Sequence, residues 1–115
     1  MILELLTEFL VSEGHEVVSA QSATAALLLI ARALPDVVLL DIKMAGVDGV
    51  TALRRIRARH PTLPVIMLTA NDDVDLARDT LKLGAFDYVA KPFNFGHLAR
   101  VIEAAVASQP RGQHR

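Results

Sequence analysis

Apolar residues recur along this chain at two repeat lengths. Ile2, Leu5, Leu6, Phe9 and Leu10 follow helical spacing, with Glu4 and Glu8 on the other face. That pattern predicts an amphipathic helix ending near Gly14. His15 to Ala20 predicts a short strand around Val17 and Val18. Ser22 can N-cap a second helix that runs to about Leu34, where Pro35 ends it. Asp36 to Asp41 contains the unbroken apolar run Val37-Val38-Leu39-Leu40. A strand apolar on both faces is expected inside a parallel sheet.

The second half repeats the scheme. Val50, Leu53, Ile56 and Arg57 mark a third helix with Arg54, Arg55 and Arg59 solvated, and the basic group Arg54, Arg55, Arg57 and Arg59 is simplest as a solvated helix face. Pro61 and Pro64 bracket the turn into the strand Val65 to Leu68. Asn71, Asp72 and Asp73 offer caps for a fourth helix, and Gly84 suits the position that closes it. Phe86 to Ala90 predicts the last strand, and Asn94 can cap a final helix through Leu98, Val101, Ile102 and Val106. Strict alternation of helix and strand predicts an α/β fold, with a doubly wound parallel sheet covered by helices on both faces. The odd element is the first, a helix with no strand before it to cross over from.

Composition narrows the function classes. One domain is expected for 115 residues, of which 52% are apolar. The net charge of −1 offers no global attraction for nucleic acid or an anionic membrane. The absence of cysteine excludes disulfides, thiolate catalysis and Cys-ligated zinc. No run approaches the roughly 18 to 20 apolar residues of a membrane span. The first residues lack the basic region of a signal peptide, so a cytoplasmic location is expected. Residues 108–115 are polar, with Pro110 and Gly112, and are expected as a tail or the start of a linker after a domain of residues 1–107.

Three polar residues stand at one geometric place, the C-terminal end of a predicted strand: Asp41, Thr69 and Lys91. In a parallel sheet these ends share an edge, where open α/β sheets bind ligands. A carboxylate can act as a nucleophile, and an ammonium and a hydroxyl can stabilise the oxygens of a transferred phosphoryl group. Each residue alone is as well explained by a turn or a cap, and Tyr88 by an ordinary strand position. Met44 and Met67 are simplest as core fillers. His15, His60, His97 and His114 lack ligand spacing.

These residues carry a resemblance. The run from Val37 through Asp41 to Gly49 resembles the phosphorylation loop of two-component response regulator receiver domains. Val65 to Ala70 resembles that family's switch strand, and Gly84 to Phe93 its last strand and following loop. The blocks stand in family order across about residues 2–107. The resemblance implies a flavodoxin-like (CheY-like) sheet and a module that is not an enzyme. It implies Asp41 as phosphoacceptor, Thr69 as switch hydroxyl, Lys91 as the ammonium pairing with carboxylate and phosphate, and Tyr88 as switch aromatic. It further implies a cis bond before Pro92 and Mg2+ held by Asp41 and the backbone carbonyl of Lys43. The implied partners are a histidine kinase or phosphotransfer protein and an output domain. Docking is implied on the surface of the fourth helix, last strand and fifth helix, with no direct nucleic acid and no membrane.

Two departures modify this picture. Ala45 stands where the family usually has proline. The family also opens with a central strand ending in two acids that bind magnesium, and Ile2 already lies in the helix that follows it. The chain is therefore expected to behave as a receiver lacking its first strand. Phosphorylation is expected to be impaired, since one carboxylate is a poor octahedral magnesium site. The gap in the sheet is expected to close by altered pairing or by a dimer or swapped oligomer. A phosphorylation-independent interaction or dimerisation domain is the alternative. An aspartate-nucleophile phosphatase would need a second Asp where Lys43 stands.

Overall fold

The computed structural model of the chain describes residues 2–42, 49–70 and 74–108. Helices α1 (Ile2–Ser12) and α2 (Ala23–Arg32) precede the first strand, β1 (Val38–Asp41). Then follow α3 (Gly49–Arg59), β2 (Val65–Thr69), α4 (Val74–Lys82), β3 (Asp87–Ala90) and α5 (Phe95–Ala107). The strands form one parallel sheet in the order β1-β2-β3. Val38 pairs with Val65 and Asp41 with Leu68, while Met67 pairs with Tyr88 and Thr69 with Ala90.

Side-chain alternation divides the core between the two faces of the sheet. Leu40, Ile42, Val65 and Met67 pack with Ala23, Leu27 and Ile30 of α2, Leu53 and Ile56 of α3, and Ala77 of α4. Ile66, Leu68 and Val89 pack with Leu6 and Leu10 of α1 and Leu98, Val101 and Ile102 of α5. On that second face Phe9 stacks on Phe95, with ring centroids 4.6 Å apart, and ties α1 to the start of α5. β2 is central, and all five of its residues are buried.

Local signals act as the sequence predicts. The Ser22 hydroxyl accepts from Ala25 N at 3.1 Å, and the Asn94 side chain accepts from His97 N at 3.0 Å. Gly84 has φ +107°, and the Ala85 N–H donates to Thr80 O beyond it, so α4 ends in the left-handed closure that glycine favours. Met67 is fully buried. The bond before Pro92 is cis. Met44, Ala45 and the capping candidates Asn71, Asp72 and Asp73 lie outside the described residues.

Two expectations need correction. His15 to Ala20 is not a strand, and the chain passes from α1 to α2 without one. Apolar pattern alone cannot make a strand, because its backbone groups need a neighbouring strand to pair with. Nor is the β1 strand wholly buried: Val38 and Leu39 are half-exposed and only Leu40 is covered. β1 pairs with β2 on one side, and no described strand pairs on the other. Altered pairing within the described residues therefore does not fill the edge. The most exposed large apolar side chains, Leu5, Val11, Val18, Leu28 and Leu34, all belong to the segment that precedes β1.

Candidate functional site

Parallel strands bring the three predicted polar residues to one edge. Asp41 is the last residue of β1, Thr69 the last of β2, and Lys91 follows the last residue of β3. The Lys91 ammonium donates to Asp41 Oδ2 at 2.6 Å, bridging from the outer end of β3 across β2 to β1. The Lys91 side chain is 27% exposed and that of Asp41 39%. Both groups therefore remain open to an incoming reactant. Lys91 N also donates to Thr69 O at 2.7 Å, which fixes the ammonium's stem to the end of β2. Thr69 is buried, and its hydroxyl donates to Ala70 O at 3.2 Å. A bond of that length is weak, so the hydroxyl can turn to a better acceptor.

Gly49 fixes the other side of Asp41. Its N–H donates to Ile42 O at 2.6 Å, which holds the start of α3 against the residue after Asp41. A Cβ at Gly49 would stand 2.5 Å from both Asp41 O and Ile42 Cα. Those are backbone atoms and cannot swing aside, so α3 starts directly against the acid's main chain only because residue 49 has no side chain.

Tyr88 is half-buried and packs against the α2-α3-α4 side of the core, in register with Met67. Its backbone N–H donates to Asp87 Oδ1 at 2.7 Å. Lys43 lies outside the described residues. Among the described residues no cluster of three or more His, Asp or Glu side chains forms a metal site. A magnesium ion needs several oxygen ligands in octahedral order, and here the ammonium of Lys91 already holds Asp41. Lys43, whose backbone carbonyl belongs to the implied set, lies outside the described residues, and the described donors alone form no octahedral cage.

Sequence reasoning missed Arg57. It was expected on a solvated face with Arg54, Arg55 and Arg59, which are exposed. Instead its guanidinium donates to His60 O at 2.9 Å, Pro61 O at 2.8 Å and Gly84 O at 2.8 Å. Partial burial holds its pKa below the usual arginine value by desolvation. Arg57 clamps the loops entering β2 and β3, at the end of the sheet opposite Asp41. The available signal was its helical phase, one position on from buried Ile56, beside two prolines and a glycine whose carbonyls needed donors.

Known proteins match this arrangement. The sequence profile of the response regulator receiver domain matches residues 1–103. The DNA-binding transcriptional regulator NtrC of Salmonella typhimurium is 38% identical over 112 residues, covering 93% of this chain and 24% of that protein. The response regulator protein FleR of Pseudomonas aeruginosa is 42% identical over 110 residues, covering 96% of this chain and 22% of that protein. The crystal structure of the receiver domain of NtrX from Brucella abortus superposes with a TM-score of 0.89 at 35% identity, covering 92% of this chain and 90% of that one. The chain thus spans about a quarter of the length of these curated relatives and nearly all of the isolated domain.

Proposed function

The chain belongs to the response regulator receiver domain family, and we propose that Asp41 is its phosphoryl acceptor, with Lys91, Thr69 and Tyr88 as the responding groups. The observation that supports this reading most is the 2.6 Å contact between Asp41 and Lys91 at the open edge of the sheet. A carboxylate oxygen attacks the phosphorus of a phosphohistidine or small acyl phosphate. The new O–P bond forms as the donor's bond to phosphorus breaks, and the donor keeps that electron pair. The product at residue 41 is an acyl phosphate carrying more negative charge than the carboxylate it replaces.

The surrounding groups suit that change. Lys91 is already neutralising the acceptor and needs only to shift to a phosphoryl oxygen. The Thr69 hydroxyl exchanges its weak bond to Ala70 O for a charged acceptor, which makes a stronger hydrogen bond. Movement at Thr69 is transmitted to β3, since its carbonyl is bonded to Lys91 N. Tyr88 follows on the same strand, and the surface of α4, β3 and α5 changes shape. Differential contacts of this kind shift a two-state equilibrium.

A histidine kinase or phosphotransfer protein is the donor that this family uses. We assign residues 1–107 to the receiver and residues 108–115 to a tail or the start of a linker. Relatives named as DNA-binding are about four times as long as this chain. The expectation of no direct nucleic acid therefore concerns only these residues. No described helix is long and apolar enough to cross a membrane, and a cytoplasmic site of action is part of the proposal. The module is an acceptor rather than a turnover enzyme. The phosphorylation-independent alternative is not favoured by the family membership.

Intact mass after incubation with acetyl phosphate and magnesium tests the assignment. The 115-residue polypeptide is expected to gain phosphate slowly and incompletely, because its described residues supply no magnesium cage. D41N is expected to gain none. Equal gain in D41N contradicts the acceptor assignment, and a prompt, stoichiometric gain contradicts the expected impairment.

A further inference from the structure

The near-zero net charge of the chain conceals a strong separation of charge. Residues 1–16 contain Glu4, Glu8, Glu13 and Glu16 and neither lysine nor arginine. α3 contains Arg54, Arg55, Arg57 and Arg59 and no acid. All four glutamates are exposed, as are Arg54, Arg55 and Arg59. α1 and α3 cover opposite faces of the sheet, α1 beside Ile66 and Leu68 and α3 beside Leu40 and Met67. The two charge sets therefore cannot meet within one molecule.

Both helices present a stripe directed away from the core. On α1, Glu4, Glu8 and Val11 fall on one stripe opposite buried Leu6 and Leu10, with Leu5 at its margin. Val11 is 56% exposed and Leu5 55%, so the acidic surface has an apolar strip. On α3, Arg54, Ala58, Arg55 and Arg59 fall opposite buried Leu53 and Ile56. Arginine stems can cover apolar surface while their guanidinium groups reach neighbouring acids. Each helix has 11 residues, so the stripes match in length. Like charges at i and i+4, Arg55 with Arg59, weaken an isolated helix. An opposing helix of the other sign relieves that repulsion.

We propose that the α3 arginine stripe is a docking surface for the acidic α1 stripe of a second copy of this chain. The contact is heterologous, so repeated addition gives open chains unless the rotation closes a ring. It depends on charge and must weaken as salt screens it. Pairing at the edge of β1, by contrast, would survive both salt and surface charge reversal. The contact is independent of the phosphoacceptor assignment.

Sedimentation velocity of the full 115-residue chain at low and high salt tests the proposal, with three samples alongside the parent. These are R54E/R55E/R59E, E4K/E8K and their equimolar mixture, all at exposed positions and checked for an unchanged melting transition. The parent is expected to associate at low salt and dissociate at high salt. Each variant alone should associate about tenfold more weakly or not at all. The mixture should regain association, because the reversed α3 then meets the reversed α1. A parent that stays monomeric at low salt overturns the proposal. So does association that each variant retains, or a mixture that stays monomeric. Salt-sensitive binding of duplex DNA by the parent without self-association would reassign the arginine stripe to a polyanion and overturn it too.

Discussion

The guanidinium of Arg57 donates to three carbonyls in two loops and cannot be replaced by a shorter or unforked side chain. R57A removes a charged donor and leaves the His60 carbonyl in a partly buried place without it. A loss of about 1–3 kcal/mol is expected in urea unfolding. R57K should recover only part, since an ammonium lacks the planar fork. R54A should change stability by no more than about 0.5 kcal/mol. Lys91 is the opposite case. Its pair with Asp41 is partly exposed, so K91M should cost no more than about 1 kcal/mol in the same assay. The same substitution should sharply reduce phosphate gain from acetyl phosphate. A large stability loss with unchanged phosphorylation would make Lys91 a structural residue. The sequence made Lys91 legible because its place after a strand could be read directly. Arg57 was not legible, since its three acceptors become neighbours only after folding brings Gly84 beside α3.

At the scale of elements, helices were easier to foresee than strands. Ser22, Asn94 and Gly84 are local devices whose hydrogen bonds lie within one turn, and each acts where the sequence places it. Strands depend on partners elsewhere in the chain. Val17 and Val18 have a strand's composition, yet His15 to Ala20 pairs with no described strand and Val18 is largely exposed. β1 shows the same dependence in milder form, being paired on one side and half-covered. Hydrogen exchange should resolve this gradient. The β2 amides, in a buried strand with neighbours on both sides, are expected to exchange slowest and to report global unfolding. Amides of residues 15–20 should exchange fastest, with β1 between. Equal protection across 15–20 and β2 would mean that the segment is paired in solution.

At the scale of the whole molecule, the fold class and the polar edge were both legible, for a common reason. Alternating helix and strand forces the strands parallel, and parallel strands put their C-terminal residues side by side. Asp41, Thr69 and Lys91 could thus be grouped from sequence although 50 residues separate the first from the last. The placement of the α1 acids and the α3 arginines on opposite faces of the sheet was not legible. Which face of the sheet a helix covers is decided by crossover and packing, not by its own pattern.

The central claim is that residue 41 carries the phosphoryl group. Borohydride reduces an acyl phosphate to the alcohol, which converts a phosphorylated aspartate into homoserine. The most direct measurement is peptide mass mapping after acetyl phosphate, magnesium and borohydride treatment, which records even a small occupancy. Homoserine at position 41 and at no other aspartate is the predicted result. Homoserine at another aspartate, or none at position 41 after prolonged exposure, would contradict the account.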